Sequence, residues 1–153
     1  MYESFFGLQE RPFSISPDPR FFFLSSQHKE ALAKCQNAVQ ERMGLAVVYG
    51  DVGTGKTTIA RRLFQTFTDN PSYRTAMIIS PRLKTENAFL REIMKEFGVT
   101  TKQSFADSLD LFRAFLAAEF KAGRTVILLV DEAQGIRSVN FELIRSLLNY
   151  ETD

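Results

Sequence analysis

The 153-residue chain has one cysteine, Cys35, one histidine, His28, and no tryptophan. A lone thiol leaves no internal disulfide and no cysteine-built zinc site. A lone imidazole excludes a metal centre of several histidines. Both absences suit a reducing cytosol. An excess of one charge is also missing, with 19 Lys+Arg against 18 Asp+Glu. Bulk charge therefore argues for neither nucleic acid nor an anionic membrane, and only a local patch could. No stretch approaches the roughly 18 apolar residues of a membrane span; the longest such run, Thr125–Val130, is strand-sized. The opening MYESFFGLQERPF lacks the basic region and apolar run of a secretory leader.

What is present is ordinary in bulk and unusual in detail. Hydrophobic residues make up 44% and charged residues 24%, which excludes a disordered or collagen-like chain. The length suits one domain with a substantial core. There are 15 phenylalanines. Phe5, Phe6, Phe13, Phe21, Phe22 and Phe23 crowd into the first 23 residues with Pro12, Pro17 and Pro19. Proline removes backbone donors and disfavours helix before it. Residues 1–26 therefore read as an ordered, extended arm whose aromatics anchor it to a core.

Helix and strand alternate after the arm. Ala31, Leu32, Cys35, Val39 and Met43 recur at helical spacing over 27–43, with Ser25 or Ser26 as cap and Gly44 as stop. LAVVYG (45–50), YRTAMIIS (73–80) and TVILLV (125–130) read as buried strands. Helices are predicted after residue 55, over about 86–97, from Ser104 to Gly123, and over about 139–150. The stripe Phe105, Leu109, Phe112, Leu116 and Phe120 reads as core rather than a cofactor box. Alternation of this kind predicts an α/β parallel sheet, and continuous apolar strands predict helices on both faces.

Two motifs carry chemistry. Gly50-Asp51-Val52-Gly53-Thr54-Gly55-Lys56-Thr57 fits G-x-x-x-x-G-K-[ST], the phosphate-binding loop or Walker A motif. Glycines let the backbone turn tightly, so that successive N–H groups face one concavity at a helix N-terminus. Lys56 would reach the β- and γ-phosphates, and Thr57 would offer its hydroxyl to Mg²⁺. Average residue usage gives such a match by chance in roughly 0.5% of chains this long. Its place between a predicted strand and a predicted helix strengthens it. The second motif is Ile127-Leu128-Leu129-Val130-Asp131-Glu132, a strand ending in two carboxylates. Ligands of open α/β sheets bind at carboxyl ends of strands. Asp131 would hold Mg²⁺ through water, and Glu132 would orient and deprotonate the attacking water.

MYESFFGL, PFSISPDPRFFFLSSQHKEAL, GDVGTGKTTIARRL, VILLVDEAQ and ELIRSLLNYETD occur in one order across essentially the whole chain. In these the sequence resembles AAA+ ATPases of the ExeA/GspA (general secretion pathway protein A) type. The resemblance implies ATP binding and hydrolysis coupled to assembly of a ring or complex. Gly50, Gly53, Gly55, Lys56, Thr57 and Thr58 match the nucleotide loop, Asp131 and Glu132 the magnesium and catalytic positions, and Gln134 the end of the DEAQ motif. It implies a P-loop NTPase fold with sheet order 5-1-4-3-2. The three predicted strands correspond to 1, 2 and 3. Strands 4 and 5, the γ-phosphate sensor, the arginine finger and the lid are expected beyond residue 153. Residues 27–153 then form a partial nucleotide-binding domain, belonging to a longer protein or a truncated one. The family's membrane helix and peptidoglycan-binding region are likewise outside it.

Other features are open between two readings. His28, with Phe21–Leu24, either lines an adenine pocket or caps its helix; the second is commoner for such clusters. Arg61, Arg62, Arg82 and Lys84 either meet a neighbouring subunit or DNA, or are solvated. Cys35 reads as an inert packing residue. The expected partners are ATP, further copies in a ring and secretion-complex proteins, at a cytoplasmic location peripheral to the inner membrane. The alternative is a nucleotide-dependent DNA or transposition helper switch, related by the same core, or an inactive fragment.

Overall fold

A computed structural model describes residues 2–9 and 23–148. The elements are α1 (Tyr2–Phe5), α2 (Ser26–Gln40), α3 (Lys56–Thr68), β1 (Tyr73–Ile79), α4 (Glu86–Glu96), α5 (Phe105–Lys121), β2 (Thr125–Asp131) and α6 (Ser138–Leu148), with a 3-10 turn at Ala133–Gly135. β1 and β2 pair in parallel, Tyr73 opposite Thr125 and Ile79 opposite Asp131.

Alternation along the strands builds two cores. Ala76, Ile78, Val126 and Leu128 join Phe89, Leu90, Ile93 and Met94 of α4, Phe112 and Leu116 of α5, and Leu143 of α6. Tyr73, Ile127 and Leu129 lie against the other cluster, which is Ile59, Leu63 and Phe67 of α3 backed by Ala31, Leu32, Cys35 and Val39 of α2. Residues one apart in a strand face opposite sides, so both faces of the sheet carry helices. The expected α/β layering and parallel pairing are therefore present.

Side chains set the helix ends. Thr85 caps α4 through the Ala88 N–H at 3.2 Å, and Ser104 caps α5 through the Asp107 N–H. Buried Ser108 ties the preceding loop, accepting from Lys102 N–H at 3.0 Å and donating to Lys102 C=O at 3.1 Å. Glu119, near the end of α5, accepts from Arg124 at 2.5 Å.

Four expectations are corrected. Residues 45–50 are not a buried strand: Leu45, Val47 and Tyr49 are 63%, 71% and 91% exposed. A strand needs a ladder partner. The order implied by the resemblance sets another strand between this segment and β2, and no described residue supplies one. The sheet among the described residues therefore has two strands rather than three, and β2 is half-buried along its length. Second, α2 ends at Gln40, leaving Met43 63% exposed. Third, Phe120 leaves the α5 core stripe, exposed beneath the Arg42 guanidinium at 5.5 Å. Fourth, Tyr2–Phe5 is a helical turn rather than extended chain. Phe5 and Phe6 stack edge-on at 4.9 Å and are exposed, as is Phe23. Phe13, Phe21, Phe22 and the three arm prolines lie outside the described residues.

Candidate functional site

The Gly-rich segment opens α3 as a tight loop. Gly53 and Gly55 take φ of 80° and 85°, left-handed conformations that cost other residues about 1–2 kcal/mol. Gly55 is the residue from which the helix starts, and its carbonyl accepts the Ile59 N–H at 2.9 Å. At Gly50 an added Cβ would lie 3.1 Å from Thr54 Oγ1, a tight contact that the threonine side chain would have to relieve. That hydroxyl donates to the Asp51 carbonyl at 2.8 Å, closing the loop. Asp51, Val52, Gly53 and Thr54 are exposed, while Lys56, Thr57 and Thr58 are half-buried in the first turn.

Lys56 folds over this loop. Its ammonium donates to Gly50 C=O at 2.9 Å and Asp51 C=O at 2.7 Å. The cation thus lies on backbone carbonyls beside the N-terminus of α3, where Gly55 makes no side-chain cap.

Asp131 ends β2, with its carboxylate accepting the Glu132 N–H at 3.0 Å. Glu132 then turns the chain out of the sheet at φ 55°. This is uncommon for a residue with a Cβ, and Arg42 and Ser80 share it among the described residues. The exposed Glu132 carboxylate accepts from the Gln134 amide. The Ser80 N–H extends the ladder to Asp131 C=O at 3.3 Å.

The topology brings the two motifs to one end of the molecule. Residues 69–72 are a short link from α3 to β1, so α3 runs back along the sheet. Its 13 residues span about 20 Å, and the 7 of β1 about 23 Å. The Lys56 end of α3 is thus level with Ile79 and Asp131. α3 and β2 also share one core cluster. Asp131 and Glu132 bond locally rather than to the loop.

Residues the sequence did not reveal support this end. Asn140, fully buried, donates to Leu83 C=O at 3.0 Å. Arg137 donates to Lys84 C=O at 3.0 Å. They clamp the loop after β1 to the segment following Glu132. Sequence separations of 57 and 53 residues gave no signal for either contact. Ser25 is the N-cap of α2, and His28 three residues on completes a reciprocal capping box with it, the capping role that one of the two readings of His28 expected. Its far nitrogen also reaches the phosphate loop, 2.9 Å from Thr54 C=O. Arg62, Arg82 and Lys84 are exposed.

Thr57 and Asp131 are hard oxygen donors, the type Mg²⁺ takes. Among the described residues no group of three or more His, Cys, Asp or Glu forms a metal cage. No helix among the described residues is long and apolar enough to cross a membrane.

General secretion pathway protein A of Aeromonas hydrophila is 41% identical over 155 residues, covering all of this chain and 28% of that relative. The chain thus spans little more than a quarter of the relative's length, in keeping with the resemblance to its N-terminal part. No solved structure matches. Residues 39–153 match the AAA domain family, from before the phosphate loop to the end of the chain. The chain therefore belongs to the AAA domain family.

Proposed function

We propose that this chain binds Mg-ATP at Gly50–Thr58 and supports its hydrolysis at Glu132, as part of a longer protein that couples the cycle to assembly or remodelling of a secretion complex. The observation that carries the reading is the loop: left-handed Gly53 and Gly55 open a 13-residue helix, and Lys56 spans the loop's own carbonyls. The N–H groups of Gly50, Asp51, Val52, Gly53, Thr54 and Gly55 would cradle phosphate oxygens. Lys56 would exchange its carbonyl partners for the β- and γ-phosphates, and Thr58 would complete the first turn. Thr57 and Asp131 would hold Mg²⁺, which when bound neutralises charge on the phosphates. Glu132, exposed and steadied by Gln134, would orient the attacking water and take its proton.

In the same reading, residues 1–26 are an N-terminal arm and 27–153 the nucleotide-binding domain. The full-length protein forms a homo-oligomer that supplies an arginine in trans, on the cytoplasmic side. The name of the Aeromonas relative supports secretion-system partners.

The test is a titration of a fluorescent ATP analogue with Mg²⁺, alongside phosphate release. Lys56→Ala should lose saturable binding. Glu132→Gln should keep it, and should abolish turnover in the full-length protein. Equal binding by the wild type and Lys56→Ala refutes the site. Partner binding that survives Glu132→Gln but fails in Lys56→Ala would instead indicate a nucleotide switch without required turnover.

A further inference from the structure

His28 joins the first turn of α2 to the phosphate loop. On the helix side its backbone N–H donates to the Ser25 hydroxyl at 3.2 Å. Its Nδ1 lies 3.4 Å from the Ser25 nitrogen and 3.0 Å from the Ser25 hydroxyl. On the loop side its Nε2 lies 2.9 Å from the carbonyl oxygen of Thr54, 26 residues away. A carbonyl can only accept, so Nε2 carries a proton, and Nδ1 of the neutral ring accepts from Ser25. One tautomer satisfies both ends. The Phe23 carbonyl stands 3.3 Å from Nδ1.

The Thr54 carbonyl is a sensitive place to hold. The Thr54–Gly55 peptide is trans, so its N–H points opposite to its C=O. Gly55, at φ 85°, makes rotation of that peptide inexpensive. Anchoring the Thr54 oxygen therefore sets where the Gly55 N–H points, and Gly55 is the residue that opens α3. A helix cap alone needs no such reach.

We propose that His28 is a positioning residue for phosphate binding: its Nε2–H holds the Thr54 carbonyl so that the Gly55 N–H stays aimed at the phosphates of the nucleotide. This rests on the reading of Gly50–Thr58 as the ATP site. It assigns His28 to the triphosphate rather than to the base.

Two substitutions separate the ring's two ends. Asparagine places its amide near the position of Nδ1 and preserves the cap, but is too short for Thr54. Glutamine carries an amide N–H to about the position of Nε2. The whole chain is titrated with a fluorescent ATP analogue and Mg²⁺ as wild type, Lys56→Ala, His28→Asn and His28→Gln, with thermal melts of each. His28→Asn should bind about five- to tenfold more weakly, the effect of one hydrogen bond. His28→Gln should stay within about twofold of wild type. Inorganic triphosphate, displacing the analogue, should weaken by the same factor in His28→Asn. The proposal is overturned if His28→Asn binds like wild type, or if His28→Gln is as weak as His28→Asn while both melt like wild type. A loss seen with the ATP analogue but not with triphosphate would move His28 to the base and overturn it too. If wild type and Lys56→Ala bind alike, the ATP-site reading fails and this inference with it. If Lys56→Ala alone loses binding, a failure at His28 is a failure of this inference only.

Discussion

Gly53→Ala separates the phosphate loop from the rest of the fold. Gly53 sits at φ 80° with nothing within 4 Å of an added Cβ. The substitution therefore adds backbone strain without a clash, about 1–2 kcal/mol for a left-handed L-residue. The loop is exposed and outside both core clusters, so the free protein can escape the strain by letting the loop leave that conformation. The cost then appears as a smaller competent population. The apparent Kd for the ATP analogue should rise about 5- to 30-fold, while the melting temperature stays within about 1 °C. Gly123 is the control. It has φ 72° and equally open surroundings, but its N–H donates to Phe120 C=O at 2.9 Å to close α5. Strain there cannot be shed without unwinding a helix end that borders the core. Gly123→Ala should lower the melting temperature by about 2–4 °C for each kcal/mol and leave affinity within about twofold. Melting curves and titrations on both variants decide it. If Gly53→Ala binds like wild type but melts lower, the loop conformation is not the one that binds, and the reasoning fails.

Phe89 is 0% exposed at the centre of the larger cluster, so Phe89→Ala should cost about 3–5 kcal/mol in urea unfolding. Val47→Ala, at a position 71% exposed, should cost less than about 0.5 kcal/mol; a loss above about 2 kcal/mol would mean that residues 45–50 are core after all. The Arg124 hydrogen bond holds the Glu119 carboxyl below its ordinary value. The stability it lends is fully present above the ordinary glutamate pKa of about 4.3 and is lost as pH falls through the depressed folded value. Glu119→Gln should therefore flatten the fall in urea midpoint between neutral and acid pH, and an unchanged pH profile would remove this pair from acid unfolding. Burial pushes the Cys35 thiol up, so an aromatic disulfide reagent should label it slowly at pH 7 in the native chain and much faster in denaturant; equal rates would contradict its packing in the smaller cluster.

Local chemistry was legible without the fold. The phosphate loop is a run of eight residues whose spacing alone fixes its glycines and its lysine, and the structure gives Gly53 and Gly55 the left-handed backbone such a loop needs. α3, α4 and α5 were expected from the sequence, and Ser104, at which the last of these was placed to begin, caps it through the Asp107 N–H. The parallel pairing of β1 and β2 followed from helices lying between two apolar runs. The loop, the helices and their caps rest on interactions between near neighbours, which sequence order preserves; the strand pairing, Tyr73 with Thr125, follows instead from the right-handed return that a helix between two parallel strands imposes.

What depended on distant partners was decided only by the tertiary structure. Residues 45–50 have the composition of a buried strand, yet a ladder requires a second strand, and none of the described residues provides it. Phe120 keeps the spacing of the α5 stripe but falls past the edge of the core, beneath Arg42. Asn140 and Arg137 brace the loop after β1, and His28 reaches Thr54, across separations of 57, 53 and 26 residues. The sequence by itself picked out the glycine-rich turn and its lysine, because that pattern resides in a short stretch of backbone and one cation. Only the packed structure decided which residues hold that stretch in place, because the hydrogen bonds that do so exist only once α2, α3 and the two strands have come together.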